Sequence, residues 1–227
     1  MKSAEILTAA TLFVPETEVD AYRRAGHENV VAVPQAIQGI TRTRNWILDS
    51  TEDPWVVFVD DDVKSAGWME ALPFRFRQGM RLTEAEWVAE FVKLFEVTEA
   101  VGYRVWGVAT QSAPRSCYPY RPFLWRTYVT ASCMGMLNSP GGLRFDESFP
   151  VKEDYEICLR CIRDDGGIVG ARYLYWENDH STQEGGCRDY RSQEMEERAI
   201  RDLQRLYPGM IRKITRGGSE FSISLDF

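Results

Sequence analysis

The sequence predicts an α/β fold: one Rossmann-like domain with a mostly parallel central sheet flanked by helices. Three observations predict it. Helical and extended patterns alternate along most of the chain. Trp55-Val56-Val57-Phe58-Val59 is continuously apolar, the pattern of a strand buried on both faces of a parallel sheet. Asp60, Asp61 and Asp62 follow it directly, at the strand end where open α/β sheets bind ligands.

The elements run in order. Glu5 to Val14 reads as a first strand closed by Pro15, and Pro15-Glu16-Thr17-Glu18 opens a helix with acids in its first turn, ended by Gly26. Asn29 to Val33 is a second strand. Gly39 to Asp49 is helical, with Ile40, Arg44, Ile47 and Leu48 on one side. Arg42 and Arg44 are two apart and so face different ways; one can meet a phosphate while the other is solvated. After the aspartates, Gly67 to Arg81 has no period and reads as a long loop. Thr83-x-x-Glu86 is a capping box opening an amphipathic helix, with Trp87, Val88, Phe91, Leu94, Phe95 and Val101 on its apolar face. Tyr103 to Ala109 is a strand. Prolines at 114, 119 and 122 forbid a regular helix over Gln111 to Tyr128. Tyr128 to Leu137 is a strand, followed by the turn Asn138-Ser139-Pro140-Gly141-Gly142. Glu153-Asp154 opens a helix ended by Asp165-Gly166-Gly167, Ile168 to Trp176 is a last strand, and a helix spans about Asp189 to Tyr207 before a peripheral tail.

At 227 residues, one domain with a sizeable core is expected. The formal net charge of -7 gives no global reason to bind nucleic acid or an anionic membrane, although a local basic face remains open. No apolar run is fit to span a membrane and no signal peptide is convincing, so the expectation is a soluble cytoplasmic protein. Five cysteines at irregular spacing do not form a disulfide framework. Cys158-x-x-Cys161 has the spacing of a metal or redox pair, but it falls on a helix where small apolar residues at i and i+3 are ordinary core.

Three adjacent carboxylates repel one another, and a divalent cation relieves the repulsion; oxygen ligands suit Mg²⁺ or Mn²⁺. The plain alternative is a solvated acidic turn. Gln111 to Tyr128 holds Arg115, Arg121 and Arg126, five aromatics including Trp125, and no acid. Lys64 to Arg81 has four basic residues against one acid, Glu70. Together these stretches can make a basic surface that holds phosphates while aromatics stack on bases. The same aromatics can equally form a small core.

The order of Gly39…Arg44-Asn45, the strand ending in Asp60-Asp61-Asp62, and Phe145-Asp146-Glu147 before Glu153-Asp154 and Cys158-Leu159-Arg160 resembles the GT-A fold glycosyltransferases. That family often carries a G-x-x-x-A-R-N segment, a D-x-D metal motif and an F-D-E…E-D-x-x-L-x-x-R stretch. Thr43 departs from the pattern. The resemblance runs from about Gly39 to His180. It implies that Arg44, with Asn45, contacts the nucleotide sugar, that Asp60 and Asp61 meet its ribose or base, and that Asp62 ligates Mn²⁺ or Mg²⁺, joined by His180. It implies that Asp154, beside Glu153, is the general base of an inverting transfer. Residues 1–110 would be the nucleotide-sugar half, 111–185 the acceptor side, and 186–227 a C-terminal helix and tail.

More narrowly, Thr-Arg-Thr-Arg-Asn-Trp at residues 41–46, Val-Asp-Asp-Asp-Val at 59–63 and His-Ser-Thr-Gln-Glu-Gly-Gly-Cys at 180–187 resemble the TET-associated glycosyltransferases of phages. That resemblance implies a UDP-sugar donor, UDP-glucose first among candidates, and hydroxymethylated DNA as acceptor. The alternatives are a transferase acting on a polysaccharide, small molecule or protein, a nucleotidylyltransferase, and a non-catalytic nucleotide-sugar-binding module. A nucleotidylyltransferase would normally carry a Gly-rich basic loop after its first strand, and residues 9–15 offer none.

Overall fold

The computed structural model describes residues 2–72, 75–78, 81–110, 120–178, 192–216 and 219–225. Arg115, His180, Cys117 and Cys187 lie outside them.

The N-terminus corrects the first expectation. Lys2–Ile6 is a short helix, α1, and only Leu12–Pro15 is extended, as β1. A 3₁₀ turn at Glu16–Glu18 leads into α2, Val19–Arg24. Val30–Val33, β2, pairs in parallel with β1 as a separate two-stranded sheet. Gly39, at φ 87, turns the chain into α3, Ile40–Ser50, at a backbone angle open mainly to glycine. The α3 face expected from sequence is the buried one: Arg44, Ile47 and Leu48 are all inside.

Trp55–Val59 is β3, as predicted, but not in the middle of a parallel sheet. It is the outer strand of a seven-stranded mixed sheet, paired antiparallel with Cys133–Leu137, β8. Of its residues only Phe58 is fully buried. The stretch read as a loop is also extended: Val63–Leu72 is β4 and Arg75–Gln78 is β5, an antiparallel pair. The Thr83/Glu86 capping box is present and opens α4, Glu84–Ala100. Val105–Ala109 is β6, Phe123–Leu124 β7, Glu153–Asp164 α5, and Val169–Asn178 β9. The order across the sheet is β3-β8-β6-β9-β4-β5, with β7 on β9. Among the described residues only β6 and β9 pair in parallel in it, so the mostly parallel sheet expected from sequence is replaced by a mixed one. The reason is connectivity: β3 and β4 are separated by three aspartates alone, too few residues for the crossover that parallel neighbours need, and β4 pairs instead with β9. Gln193–Leu206 is α6, and the tail forms an antiparallel hairpin, Ile211–Arg216 (β10) with Ser219–Leu225 (β11).

Two cores cover the sheet, one on each face, and the period of two along its strands sorts residues between them. Met134 and Met136 of β8 join Val105, Ile157, Cys158 and Ile162 on the α3–α5 side. Cys133 joins Trp106, Trp87, Phe91, Phe95 and Trp176 on the α4 side. Trp106 crosses over Gly135 so closely that a Cβ there would sit 2.0 Å from its ring, which is why glycine occupies that position. Val88 and Val101, expected on the inner face of α4, are 51% and 40% exposed, at the margins of the stripe. Cys133, Cys158 and Cys161 are buried free thiols, and burial raises the pKa of each, as core rather than redox cysteines. Among the described residues, no helix is long and apolar enough to cross a membrane.

Candidate active site

The end of β3 is held by its backbone. Asp60 N–H donates to the Ser132 carbonyl at 3.0 Å, and the Ser3 hydroxyl of α1 donates to the Asp60 carbonyl. The Asp60 side chain accepts from Arg44 at 3.4 Å on one oxygen and from Asn178 at 3.3 Å on the other. Asp61 is exposed beside it, and Asp62 is half-buried before β4 begins.

Arg44 is the centre of the arrangement. It is 5% exposed, with its guanidinium carbon 5.5 Å from the Phe145 ring and 6.0 Å from the Phe58 ring. One nitrogen meets Glu153 at 2.8 Å, the other Asp60. It therefore ties the acids at the end of β3 to the acids at the start of α5. Burial disfavours its charge, but Asp60, Glu153 and Asp154 together more than offset that, and its pKa lies above the ordinary value. Arg42, two residues earlier, is exposed and paired with Glu147 at 3.2 Å. The two arginines do face different ways, because Arg44 lies on the side of α3 that meets the core and Arg42 on the solvent side. Asn45 turns inward as well, donating to the Phe145 carbonyl at 2.9 Å and accepting from its N–H at 2.8 Å. The Arg44-Asn45 pair thus fastens Phe145 and Glu153 to α3, and both side chains are engaged within the protein.

The α5 end is built from an unusual backbone. Lys152, which precedes it, has φ 64, the only positive φ of a non-glycine residue among those described. Such a conformation costs about 1–2 kcal/mol. It is secured by a largely buried ion pair at 2.7 Å with Glu196 of α6. The chain then enters α5 with Glu153, Asp154 and Glu156 in the first turn, where the helix dipole favours carboxylates. Asp154 accepts from the Tyr128 hydroxyl and from the Tyr155 N–H at 2.9 Å. Desolvation, followed by the charge of Glu153, raises its pKa to about 6, although the Tyr128 bond and Arg44 act the other way. A carboxylate so placed is ionised at neutral pH and basic enough to accept a proton. The pKa of Asp60 is also raised, first by burial and then by Asp62, Asp61 and Glu153, against the pull of Arg44.

Among the described residues, no three His, Cys, Asp or Glu side chains converge as a metal cage. Mg²⁺ seldom uses one; it is commonly held by one or two carboxylates plus substrate phosphates. The donor set fits that pattern. Asp62 and Asp60 are hard oxygen donors, and the buried Oδ1 of Asn178 has no hydrogen-bond partner among the described residues. A cavity of about 650 Å³ opens beside them between β1 and β3, lined by Phe13, Val14, Tyr22, Arg44, Asp60 and Asp61 among others. Its existence follows from β3 being an outer strand separate from the β1–β2 sheet.

The proposed acceptor residues divide. Arg121 is exposed. Arg126 is exposed and donates to the Gly166 carbonyl at 3.2 Å. Trp125 is 44% exposed but stacks on Phe123 at 5.7 Å. The aromatic segment is therefore partly a small core, with Phe123 also against Tyr173, and partly surface. Tyr128 and Asn178 are site residues that sequence reasoning did not assign. Nothing local marks Tyr128 among its aromatic neighbours, whereas Asn178 is the final residue of β9, beside a segment already of interest.

Comparison of the chain with protein-family models, curated proteins and solved structures found no match.

Proposed function

We propose that this protein is a metal-dependent inverting glycosyltransferase that moves a sugar, glucose first among candidates, from a UDP-sugar to the hydroxyl of 5-hydroxymethylcytosine or a related base in DNA. The observation that carries the transferase reading is the bridge through Arg44, which brings Asp60 and the Glu153-Asp154 pair, far apart in sequence, to one site. The cavity between β1 and β3 has room for a nucleotide and opens onto Asp60 and Asp61. Asp62, with Asp60 and Asn178 near it, would hold Mn²⁺ or Mg²⁺, which supplies charge neutralisation for the departing diphosphate. Asp154 takes the proton of the acceptor alcohol. The acceptor oxygen forms its bond to the anomeric carbon as the bond to the diphosphate oxygen breaks, and the electron pair leaves with UDP. One displacement inverts the anomeric centre. The DNA part of the reading rests on the resemblance and on Arg121, Arg126 and the exposed Trp125. Arg115 and His180 keep their expected roles as proposals.

Two measurements test this. Turnover of UDP-glucose should stop with EDTA and return with Mn²⁺, and Asp62→Ala should lower metal-dependent turnover at least about 100-fold. Full metal-dependent turnover by that variant would end the metal assignment. For the acceptor, transfer to a hydroxymethylated oligonucleotide is the direct assay. Arg121→Ala and Arg126→Ala should each weaken oligonucleotide binding and reduce its log–log salt slope by about 1, with UDP-sugar hydrolysis unchanged. Transfer to a free sugar or peptide, with none to hydroxymethylated DNA at low salt, would overturn the DNA acceptor and leave the transferase reading standing.

A further inference from the structure

Helix α6 meets the entry of α5 through three kinds of contact. Ala199, Ile200 and Leu203 of α6 share an apolar cluster with Phe149, Val151 and Leu159, which lie on either side of that entry in sequence. Tyr207, which caps α6, donates its hydroxyl to the buried Glu156 carboxylate at 2.7 Å. Glu196 meets the Lys152 ammonium at 2.7 Å, with the two side chains only 11% and 12% exposed. Lys152 carries two costs at once. Its φ of 64 is one that glycine adopts freely and lysine does not. Its ammonium is taken largely out of water, and so is the carboxylate it meets. Glycine would suit the backbone better, and an apolar pair would be easier to bury. Both costs fall on the residue directly before Glu153 and Asp154. The Lys152 carbonyl accepts from the Glu156 N–H at 3.0 Å, which closes the first turn of α5 around the two acids. The same ammonium lies 5.6 Å from the ring centroid of Tyr155, whose N–H donates to Asp154 at 2.9 Å. The first turn is therefore tied to α3 through Glu153 and Arg44, and to α6 through Lys152 and Glu196.

We propose that Lys152 and Glu196 are positioning residues, and that their ion pair is the means by which α6 fixes the backbone that aims the Asp154 carboxylate. This rests on Asp154 being the base. Neither residue touches substrate. They hold the turn from which Asp154 projects, and a misplacement of about 1 Å at a reacting group can lower a rate about 100-fold. The strained backbone at Lys152 is kept because the lysine side chain, unlike glycine, reaches a second helix.

Two variants of the full chain test this. Glu196→Gln keeps the shape of the partner and removes its charge. Lys152→Gly removes the tie and relieves the backbone, so it serves if the first variant folds poorly. In both, kcat should fall about 5- to 50-fold while the donor KM stays within about twofold of wild type. Amide hydrogen exchange reads the turn itself, with or without activity. The Glu156 amide should exchange at least about tenfold faster in each variant, while amides in the later turns of α5 and in α4 keep their wild-type rates. Wild-type exchange at Glu156, or an increase spread evenly over the molecule, overturns the tie. A kcat within twofold of wild type in both variants, or a donor KM that rises as far as kcat falls, overturns the positioning role. A wild-type protein that turns over no UDP-sugar overturns the transferase reading instead, full activity in Asp154→Asn overturns the base, and in either case exchange at Glu156 still decides whether the ion pair holds the turn.

Discussion

Asp154→Asn is expected to lower kcat about 10²–10⁴-fold, as loss of a positioned base does, while donor affinity stays the same. The same substitution should stabilise the protein. In the fold the carboxyl titrates at about 6, raised by burial and by Glu153. The unfolded chain, whose Asp154 titrates near the ordinary value, releases that proton more easily, so between about pH 4 and 6 the native state binds more protons and loses stability as pH rises. Above pH 6 the cost is constant. Asparagine carries no charge, so at pH 8 it should gain about 1–3 kcal/mol and several degrees in melting temperature, and the gain should vanish as pH falls towards 4. Its amide oxygen can still accept from Tyr128. A variant both more stable and nearly inactive is the mark of a carboxylate kept for chemistry. Equal losses of kcat and donor binding would place Asp154 at the nucleotide. The wild-type profile of kcat/KM should itself fall below an apparent pKa of about 6, since the protonated carboxyl cannot act as a base.

Arg44→Met should be the most damaging single change to the fold. It leaves Glu153 and Asp60 without their shared cation while keeping the apolar contacts with Phe58 and Phe145. Breaking a buried pair by removing one partner costs about 3–5 kcal/mol; Asp60 is partly solvated, so about 3 kcal/mol is the expectation, or roughly 6–12 °C in melting temperature. The loss should shrink as pH falls from 7 to 5. Without the arginine both carboxylates protonate at higher pH, the native variant takes up protons, and the gap to wild type narrows. Arg44→Lys should recover only part of the loss, because one ammonium cannot reproduce the two-pronged bridge. Asp154 should also titrate higher in either variant, since Arg44 favours its ionised form. A melting temperature within a degree or two of wild type would show that the bridge contributes nothing to the fold.

What the sequence by itself determined was local. The extended character of the apolar run before Asp60, the capping box at Thr83 and Glu86, the acidic first turn of α5 and the inward side of α3 at Arg44, Ile47 and Leu48 are properties of neighbours a few residues apart, and each is present in the structure. The tertiary structure decided what depends on pairing across the chain. An apolar run has the same composition whether its strand lies in the centre of a sheet or, as β3 does, on its outside against β8. The extended stretch from Val63 lacks a period because burial does not alternate along it: Ala66 and Trp68 share a face, yet Ala66 is buried and Trp68 is 51% exposed, while Met69 on the other face is buried. No spacing rule joins Tyr128 to Asp154 or Lys152 to Glu196, since both contacts are made only when the segment before β8 and helix α6 close on the start of α5. Arg44 belongs to both levels. Helical period places it on the buried face of α3, and only the packed fold surrounds it with the two acids that make a buried cation tolerable.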